Sequence, residues 1–501
     1  MSTPNEQEDW PTMRVILAGY NVDIEVLERA RQALGADAAQ LTPETLSAAY
    51  ARISRNPAPV DELRRQARQE VARARESNEQ IIFGLGHASV AEHAVFNFDL
   101  IGISRLAIEA VEHCRLCSYT EKSQRYIRLR DDHVVPEEIV ECGLRNQFEE
   151  VIGLQNRTYH LLYEKLREHV FDSNPDLAAD RSNRRLLEGW AKEDARYVTA
   201  LATEGQLGMT LNARNLERMI RRLAGHPLAE ARALAAALRA PAAEVAPSLV
   251  RYTEPGAAEQ EAERQLGELS RQIVGQQAEQ TLPGATGAVH LVAHTPEPDL
   301  RVVAALLHGA TSAPWNVCHA RAKAIDDGRR GEVVRAALCG LAAHDPAPRA
   351  LEHASFELDV VLSAASFGQL KRHRMASLLV QPYDPALGYT VPPGVERVGM
   401  SQPFQQVMAE SMRLYEKVLP HHPEAAAYIL TQAHRRRVLL RMNARELYHF
   451  SRLRQDGHAQ WDIRALADRM VYLCQQVAPL SLALCAGKDR FVQRRAELYG
   501  S

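Results

Sequence analysis

The chain has 501 residues, of which 46% are hydrophobic and 25% are charged, and its formal net charge is -3 at pH 7. This composition is typical of an ordinary globular protein with room for two or three domains. The small net charge gives no reason to expect a nucleic acid or an anionic membrane as a partner. The seven cysteines are odd in number and irregularly spaced, which favours reduced thiols in a cytosolic compartment over a disulfide framework.

Residues 1–11 are polar and acidic, and no apolar run reaches the roughly 18 residues that a membrane span needs. We therefore expect neither a signal peptide nor a membrane segment, and a cytoplasmic location.

The predicted elements, in chain order, are helix-rich with a few short strands. Runs rich in β-branched residues predict strands at 14–19 and 289–294, and alternating patterns predict strands at 92–101 and 352–361. Charged or amphipathic patterns predict helices at 60–80, 143–170 and 404–418, and long helical stretches at 209–238 and 441–478 with turns near Gly225 and Gly457.

Several short patterns occur twice, in the same order. Glu-His-Ala at residues 92–94 returns at 352–354, and Asn-Ala-Arg at 212–214 returns at 443–445. Each Asn-Ala-Arg is followed by an arginine and, four residues later, a histidine; these pairs are Arg222 and His226, and Arg454 and His458. We interpret this order as a duplicated domain rather than a short-period solenoid.

The duplication predicts a first repeat at residues 12–253, a linker at 254–287 and a second repeat at 288–490. The middle of the linker, 257–280, is charged and predicts a helix.

Residues 113–126 and 372–377 carry arginine, serine and glutamate at spacings suited to a nucleotide monophosphate. An arginine offers a planar fork of donors to phosphate and carbonyl oxygens. A serine with neighbouring backbone amides can complete a phosphate cradle, and a glutamate can accept from a ribose hydroxyl or a ring N–H. The chain has neither a G-x-G-x-x-G nor a P-loop pattern, so a Rossmann or P-loop nucleotide site is not expected.

Together the two segments resemble the signature Arg-His-Arg-x-x-Ser-x-x-Glu-x-Ser-x-Arg-Tyr of flavin-dependent thymidylate synthases. The second repeat holds its front, Arg372, His373, Arg374 and Ser377. The first repeat holds its back, Arg115, Ser118, Glu121, Ser123, Arg125 and Tyr126. The resemblance implies an α+β fold, a sheet with flanking helices, present as two tandem copies.

In the enzymes that the chain resembles, four identical subunits share active sites between subunits. One contributing set corresponds to Gln369, Arg372 and Arg454 of the second repeat; the first repeat has Ala110 and His113 at two of these places, although Arg222 remains. The other set corresponds to Glu121, Ser123, Arg125 and Arg196 of the first repeat; the second repeat has Val380, Pro382, Asp384 and Ala427 there.

These losses are complementary, so we predict one intact composite site built from both repeats and a dead opposite pairing. Two chains would then form a homodimer, a pseudo-tetramer of four repeats with two working sites. The repeats that combine could come from one chain or from two.

The resemblance implies methylation of dUMP to dTMP, with methylenetetrahydrofolate and NADPH as co-substrates and FAD as cofactor. The catalytic assignments are Arg454, which would stabilise enolate-like charge on the pyrimidine, and Ser123, for which a phosphate contact is favoured over a covalent nucleophile. The residues assigned to FAD are Arg372, His373, Arg374, His87, Ser89, Glu92, Glu121, Asn443 and His449. Which copy of each repeated pattern contacts the flavin is left open.

Two other functions fit the same pattern: a catalytically silent relative that binds flavin or nucleotide, and a flavoenzyme acting on another pyrimidine nucleotide. Structural roles compete as well. Asn212 and Asn443 are candidate helix caps, and the Glu-His pairs are candidate ion-paired or core-lining residues.

The pattern Cys114-x-x-Cys117 lacks a second ligand pair, so no metal is expected. A redox dithiol is not expected either, because both cysteines lie in a predicted binding loop.

Overall fold

The computed structural model describes residues 14–20, 42–52, 60–84, 87–275 and 289–500. The predicted properties of residues 1–11 and the part of the predicted linker from 276 to 287 lie outside these ranges. The chain divides into two compact units. Unit 1 comprises residues 1–192, 199–281 and 402–430, and unit 2 comprises residues 193–198, 282–401 and 431–501.

Each unit contains one antiparallel sheet of four strands, and the two sheets have the same topology. In unit 1 the strands are β1 (Arg14–Tyr20), β2 (Val95–Ser104), β3 (Ser118–Glu121) and β4 (Glu204–Asn212), in the order β1-β2-β4-β3. In unit 2 they are β5 (Val289–His294), β6 (Ser355–Ser363), β7 (Ser377–Tyr383) and β8 (Arg435–Asn443), in the order β5-β6-β8-β7. The predicted helix-rich α+β fold in two copies is confirmed.

The central strands form because their side chains alternate between a buried and a more open face. The buried face carries Phe96, Phe98 and Leu100 in β2 and Phe356, Leu358 and Val360 in β6. The pairing of β2 with β4 is irregular between Ile101 and Ile103. Gly102 adopts a positive φ of 70° at this point, which glycine tolerates because it has no Cβ.

Helices make up most of the remaining described residues. Those before residue 275 are α1 (Glu44–Arg52), α2 (Val60–Gln69), α3 (Val71–Glu79), α4 (Arg105–Glu112), α5 (Glu137–Glu141), α6 (Arg145–Asp172), α7 (Pro175–Ala179), α8 (Arg184–Ala195), α9 (Ala213–Ala224), α10 (Ala229–Val245) and α11 (Ala257–Val274). Those after residue 289 are α12 (Pro298–Ala310), α13 (Trp315–Ala324), α14 (Asp327–Leu338), α15 (Ala364–Leu370), α16 (Pro393–Arg397), α17 (Ser401–Val418), α18 (Pro423–Ala426), α19 (Ala444–Arg454), α20 (Trp461–Val477) and α21 (Lys488–Tyr499). Within the described ranges, none of them has the length and apolar character needed to cross a lipid bilayer.

The strands predicted at 14–19 and 289–294 and the helices predicted at 143–170 and 404–418 are confirmed by β1, β5, α6 and α17. The strands predicted to begin at residues 92 and 352 begin three residues later, because short 3-10 turns, Ala88–His93 and Arg349–His353, precede them.

The long helical stretches predicted at 209–238 and 441–478 were wrong at their starts, which belong to β4 and β8. Leucine and methionine in these strands are good helix formers, but pairing with β2 and β6 overrides that preference.

Unit 1 incorporates a segment of the second repeat, residues 402–430. The buried side chain of Gln155 in α6 donates from Nε2 to Ser411 Oγ (2.8 Å) and to the Ile429 carbonyl oxygen (2.9 Å). The backbone N–H of Leu201 donates to the Leu430 carbonyl (2.8 Å). The long helices α6 and α17, which are counterparts in the two repeats, therefore pack in the same unit.

A buried carboxylate anchors this segment. Glu230 accepts hydrogen bonds from the Ser104 backbone N–H (2.7 Å), the Ser104 hydroxyl (2.6 Å) and the Tyr428 hydroxyl (2.6 Å). Burial raises the pKa of Glu230, and these hydrogen bonds oppose that rise. Ser104 also caps α4, accepting from the Ala107 N–H.

Unit 2 contains the equivalent arrangement, with a segment of the first repeat. Residues 193–198 of the first repeat pack there, and the Tyr197 hydroxyl donates to Asp462 Oδ2 (2.9 Å). The Ser363 hydroxyl donates to the same oxygen and caps α15. Trp461 stacks on Tyr197 and donates from Nε1 to Asp194 Oδ1 (2.7 Å).

We expect Tyr428→Phe and Tyr197→Phe each to lower the free energy of unfolding by about 1–3 kcal/mol. Each change keeps the buried ring but removes one hydrogen-bond donor from a buried carboxylate. Urea unfolding of the variants against wild type measures the loss. Tyr472→Phe, at a half-exposed tyrosine, is the matched control and should change the value by less than about 0.5 kcal/mol. Equal effects from all three changes would show that the carboxylates do not anchor the exchanged segments.

Candidate functional site

In unit 2, the turn between α15 and β7 carries three successive basic residues whose side chains differ in their exposure to solvent. Arg372 is half-buried, His373 is buried and Arg374 is exposed. The turn is closed by backbone hydrogen bonds from the N–H of His373 to the Leu370 carbonyl and from that of Ala376 to the His373 carbonyl. The geometry directs His373 into the unit and Arg374 towards solvent.

His373 is held between a donor and an acceptor. Arg454 Nε donates to His373 Nε2 (3.0 Å), and His373 Nδ1 lies 3.3 Å from Glu446 Oε1. An arginine N–H can only donate, so Nε2 is the accepting nitrogen and the proton of the neutral ring resides on Nδ1, facing the carboxylate. This arrangement fixes both the tautomer of His373 and the orientation of Arg454.

Helix α19 supplies the groups around this histidine from one face. Glu446, His449 and Phe450 are spaced for the same side of the helix, and the rings of His449 and Phe450 contact His373 edge-on at centroid distances of 5.6 and 4.8 Å. Arg454 comes from the last turn of the helix and also donates from Nη2 to the Gln369 carbonyl (3.0 Å).

Burial controls the protonation of this cluster. Burial lowers the pKa of His373 well below its ordinary value, and the nearby Arg454 and His449 lower it further. Burial raises the pKa of Glu446, while His449 and Arg445 oppose the rise. The imidazole of His373 is therefore neutral near pH 7 and acts as an acceptor for Arg454.

A chain of hydrogen bonds orients the amide of Gln369. Its Nε2 donates to Gln460 Oε1 (3.3 Å), and Gln460 Nε2 donates to the Tyr197 hydroxyl (2.8 Å), which in turn donates to Asp462. The carboxylate at the end of the chain can only accept, so the donor direction is set all along it. Gln369 Oε1 is left buried, and it accepts no hydrogen bond from the described residues.

Arg196 of the first repeat lies in the same unit. It is buried, and it belongs to the segment of residues 193–198 that contacts Asp462 through Tyr197. Burial raises the pKa of Asp462, and the positive charge of Arg196 is one of the influences that oppose this rise. Gln369, Arg372, Arg454 and Arg196, which the resemblance drew from both repeats, are therefore gathered in unit 2.

Glu121, at the end of β3 in unit 1, forms a buried ion pair. Arg105 Nη1 lies 2.8 Å from Glu121 Oε1, and the two side chains are only 6% and 9% exposed. Sequence reasoning missed Arg105. A comparison of the repeats could have found it, because the second repeat has Ala364 and Val380 at these two places, so both partners are absent together.

Ser123 and Arg125 form a tight turn after β3. The Arg125 N–H donates to the Ser123 hydroxyl (3.3 Å), and the N–H groups of Tyr126 and Ile127 both point at the Ser123 carbonyl (3.3 Å each). No described histidine or carboxylate hydrogen-bonds to the Ser123 hydroxyl, so the structure offers no relay that would make it a nucleophile.

Unit 1 has an arginine at the position equivalent to Arg454, but no histidine at the position equivalent to His373. Arg222 donates to the Ala110 carbonyl, as Arg454 does to that of Gln369. Arg222 Nη2 also lies 3.8 Å from the Cys114 sulfur, where Arg454 meets His373 in unit 2. Arg222 and Arg454 are therefore structural counterparts, although their neighbours differ.

The remaining residues predicted to bind flavin have other contacts. His87 and Ser89 are exposed, and Glu92 is ion-paired with Arg214 (Oε1 to Nη1, 2.6 Å). Asn443 caps α19, accepting from the Glu446 N–H (2.8 Å), and Asn212 caps α9 in the same way. The alternative structural roles of the two asparagines as helix caps are confirmed. In the described ranges, no group of three or more His, Cys, Asp or Glu side chains is placed to hold a metal ion.

A family model described as "Thymidylate synthase complementing protein" matches the chain twice, at residues 38–248 and 290–480. These matches cover well over half of the chain, so the protein belongs to this family and carries its domain in tandem. The family resemblance predicted from the sequence is confirmed.

Two kinds of relative are found. The flavin-dependent thymidylate synthase of Geobacter sulfurreducens is 32% identical over 218 residues, which are 43% of this chain and 83% of that protein. The UPF0159 protein of Chlamydia muridarum is 23% identical over 415 residues, 79% of this chain and 78% of that protein. The UPF0159 protein Ta1429 of Thermoplasma acidophilum is 23% identical over 436 residues, 80% of this chain and 86% of that protein. Each of the two longer alignments exceeds the length of either family match alone.

Among solved structures, the UMP/dUMP methylase PolB from Streptomyces cacaoi, bound with 5-Br dUMP, is 22% identical with a TM-score of 0.31. Its alignment covers 40% of this chain and 96% of that chain.

The neutral state of His373 should make stability depend on pH. The unfolded chain gains a proton on this histidine as the pH falls below about 6.5, while the folded chain does not, so folding loses stability as the pH drops from 7 to 5. We expect His373→Gln, whose amide can both accept from Arg454 and donate to Glu446, to show a weaker decline over this range. Thermal unfolding midpoints of both proteins at several pH values measure it. Parallel declines would contradict a neutral His373.

Proposed function

We propose that this protein is an FAD-dependent thymidylate synthase that methylates dUMP to dTMP, using methylenetetrahydrofolate and NADPH, at a composite site drawn from both repeats. The flavin supplies the hydride when it is bound. The rest of the chemistry is orientation and electrostatics provided by side chains of this chain. The family membership and the thymidylate synthase relatives support this class of reaction.

One observation carries the proposal. Arg196 of the first repeat lies in unit 2, next in the chain to Tyr197, whose hydroxyl accepts from Gln460 in the network that orients Gln369 of the second repeat. The resemblance assigns these two residues to different contributing sets, and the exchange of residues 193–198 unites them. This supports a composite site in which the first repeat complements the second.

The opposite combination lacks the required groups. In unit 1, the exchanged segment carries Ala427 where Arg196 is expected, and Ala110 and His113 occupy the places of Gln369 and Arg372. Only Arg222 survives there. The complementary losses thus support one working site per chain rather than two.

The contacts of Gln369 and Arg454 suit a pyrimidine ring. Gln369 Oε1 is oriented as an acceptor and would receive the ring N–H. Arg454, held by His373 and by the Gln369 carbonyl, would place its positive charge at the pyrimidine oxygens. There it would stabilise the enolate-like charge that makes C5 nucleophilic. The neutral His373 orients this arginine without competing for its charge.

The turn after β3 would receive the phosphate and ribose. Ser123 and Arg125 offer a hydroxyl and a guanidinium to the phosphate, and Glu121, ion-paired with Arg105, would accept from a ribose hydroxyl. The proposal holds whether the turn comes from the same chain or from a second chain of a homodimer. The odd number and irregular spacing of the seven cysteines agree with a cytoplasmic enzyme.

The flavin fits the exposed side of the His373 turn. Arg374, which follows His373 in the chain, and His449, whose ring contacts that of His373, are both exposed, and a guanidinium suits the diphosphate of a dinucleotide. We assign Arg372, Arg374 and His449 to flavin binding, with His373 and Asn443 behind them positioning the turn and α19.

The first test is tritium release from [5-³H]dUMP with FAD, NADPH and methylenetetrahydrofolate. We expect release by the purified protein and a loss of roughly 100-fold or more in Arg372→Ala and in Arg125→Ala, because each change removes a charged contact to the substrate. Arg222 is the counterpart of Arg454 in unit 1, where the other groups of the site are missing. Arg222→Ala should therefore retain most of the activity. Similar losses from all three variants would refute the composite site.

A catalytically silent binding protein is the second candidate. It is favoured by the departure of the second repeat from the signature at Val380 and Pro382 and by the long UPF0159 relatives, whose name states no activity. Bound flavin together with no tritium release would select it. Competition distinguishes the third possibility. If another pyrimidine nucleotide suppresses tritium release more strongly than excess unlabelled dUMP does, that nucleotide is the preferred substrate.

Flavin retention gives an independent prediction. We expect Arg374→Ala to reduce the flavin absorbance per chain of the purified protein, because it removes an exposed positive charge from the proposed diphosphate contact. Arg115→Ala is the matched control. Arg115 is the counterpart of Arg374 in the first repeat, which has His113 and Cys114 in place of Arg372 and His373. Equal flavin loss in both variants would place the flavin elsewhere.

A further inference from the structure

The turn 113–117 in unit 1 replaces the Arg-His-Arg turn with a pair of cysteines. Cys114 and Cys117 lie three positions apart in this turn, and Arg222 Nη2 lies 3.8 Å from the Cys114 sulfur. This arginine is the counterpart of the one that holds His373 in unit 2. In the first repeat, the equivalent arginine therefore lies beside a cysteine instead of a histidine.

The surroundings favour the thiolate of Cys114. The hydrogen bond from Cys117 and the positive charges of Arg222 and Arg218 lower the pKa of Cys114 to about 6, although burial acts in the opposite direction. Burial, followed by the same two arginines and Arg115, lowers the pKa of His113, so this imidazole is uncharged at neutral pH. The positive field at the thiol thus comes from permanent charges.

Other cysteines of the chain are different. Burial raises the pKa of Cys474 to about 12, and it raises that of Cys485 as well. Both are buried in the core of unit 2. In the first pair, Cys117 is buried too, but Cys114 is half-buried and the intervening Leu116 is 73% exposed, so a small reagent can approach Cys114.

The backbone of the turn is held at its base. The Tyr119 hydroxyl donates to the carbonyls of Val111 (3.0 Å) and Cys114 (3.1 Å). Burial and the neighbouring thiols raise the pKa of Tyr119, so it remains a donor at neutral pH. The tyrosine therefore keeps Cys114 close to the start of β3, and Cys117 immediately precedes that strand.

Contrary to the expectation from the sequence, we propose that Cys114 and Cys117 form a thiol–disulfide exchange site that reacts with low-molecular-weight disulfides. The Cys114 thiolate attacks one sulfur of a disulfide such as oxidised glutathione; a mixed disulfide forms and the first glutathione leaves as a thiolate. The Cys117 thiol then gives its proton to solvent or to that thiolate and attacks the Cys114 sulfur. The Cys114–Cys117 disulfide forms and the second glutathione leaves. The dithiol is oxidised by two electrons and the glutathione disulfide is reduced by two.

This inference does not depend on the proposed function, because its readout is a covalent bond. The full-length protein is incubated with oxidised glutathione at pH 7, blocked with iodoacetamide and digested with trypsin without reduction. Trypsin cleaves after Arg115, between the two cysteines, so the disulfide joins two peptides that otherwise separate. We expect the joined peptides, and their separation on reduction. Their absence, with both cysteines recovered as alkylated thiols, would overturn the proposal.

The order of attack is tested by variants. In Cys117→Ser we expect a glutathione adduct to accumulate on Cys114, whereas Cys114→Ser should gain little adduct on Cys117. The reverse pattern would overturn the assignment of Cys114 as the attacking thiol.

Alkylation of the untreated wild type supplies a measurement without any variant. Iodoacetamide should modify Cys114 about 10-fold faster than the exposed Cys339 at pH 7, because Arg222 and Arg218 favour the reactive thiolate of Cys114. Equal rates would contradict an activated thiol.

Discussion

The structure depends on two buried carboxylates, each of which needs donors that its own repeat does not fully provide. Glu230 and Asp462 each accept from a serine that caps a helix of their own repeat and from a tyrosine of the other repeat. An unsatisfied buried carboxylate is costly. The exchanged segments that carry Tyr428 and Tyr197 are therefore required for each unit, and neither repeat completes its own hydrogen bonding.

This exchange explains how the two copies could diverge in opposite directions. Each unit combines the sheet of one repeat with a segment of the other, so a residue lost from one segment affects only the unit that receives it. Arg196 is kept in the segment that joins unit 2, and Ala427 is found in the segment that joins unit 1. A change in one exchanged segment can thus leave the other unit, and both carboxylate anchors, unaffected.

Arg454 and Arg222 occupy equivalent positions in the two units but have different partners. In unit 2, Arg454 donates to the neutral His373 and is oriented by it, with Glu446 accepting from the far side of the ring. In unit 1, Arg222 faces the Cys114 sulfur and favours a negative charge there. A guanidinium is always charged, so the partner decides its effect: it is oriented by a neutral acceptor, whereas beside a thiol it favours the thiolate.

The sequence by itself determined the duplication, the division of the signature and the longest helices, because repeats, motifs and amphipathic periods are local patterns. It misassigned the starts of β4 and β8, whose leucine and methionine residues favour helix until a neighbouring strand pairs with them. Only the tertiary structure decided that Arg105 pairs with Glu121, that Tyr197 bridges Gln460 and Asp462, and that two segments exchange units. Tyr197 and Asp462 are 265 positions apart, and such contacts are set by burial and hydrogen-bond satisfaction after the chain folds back on itself, which no local pattern encodes.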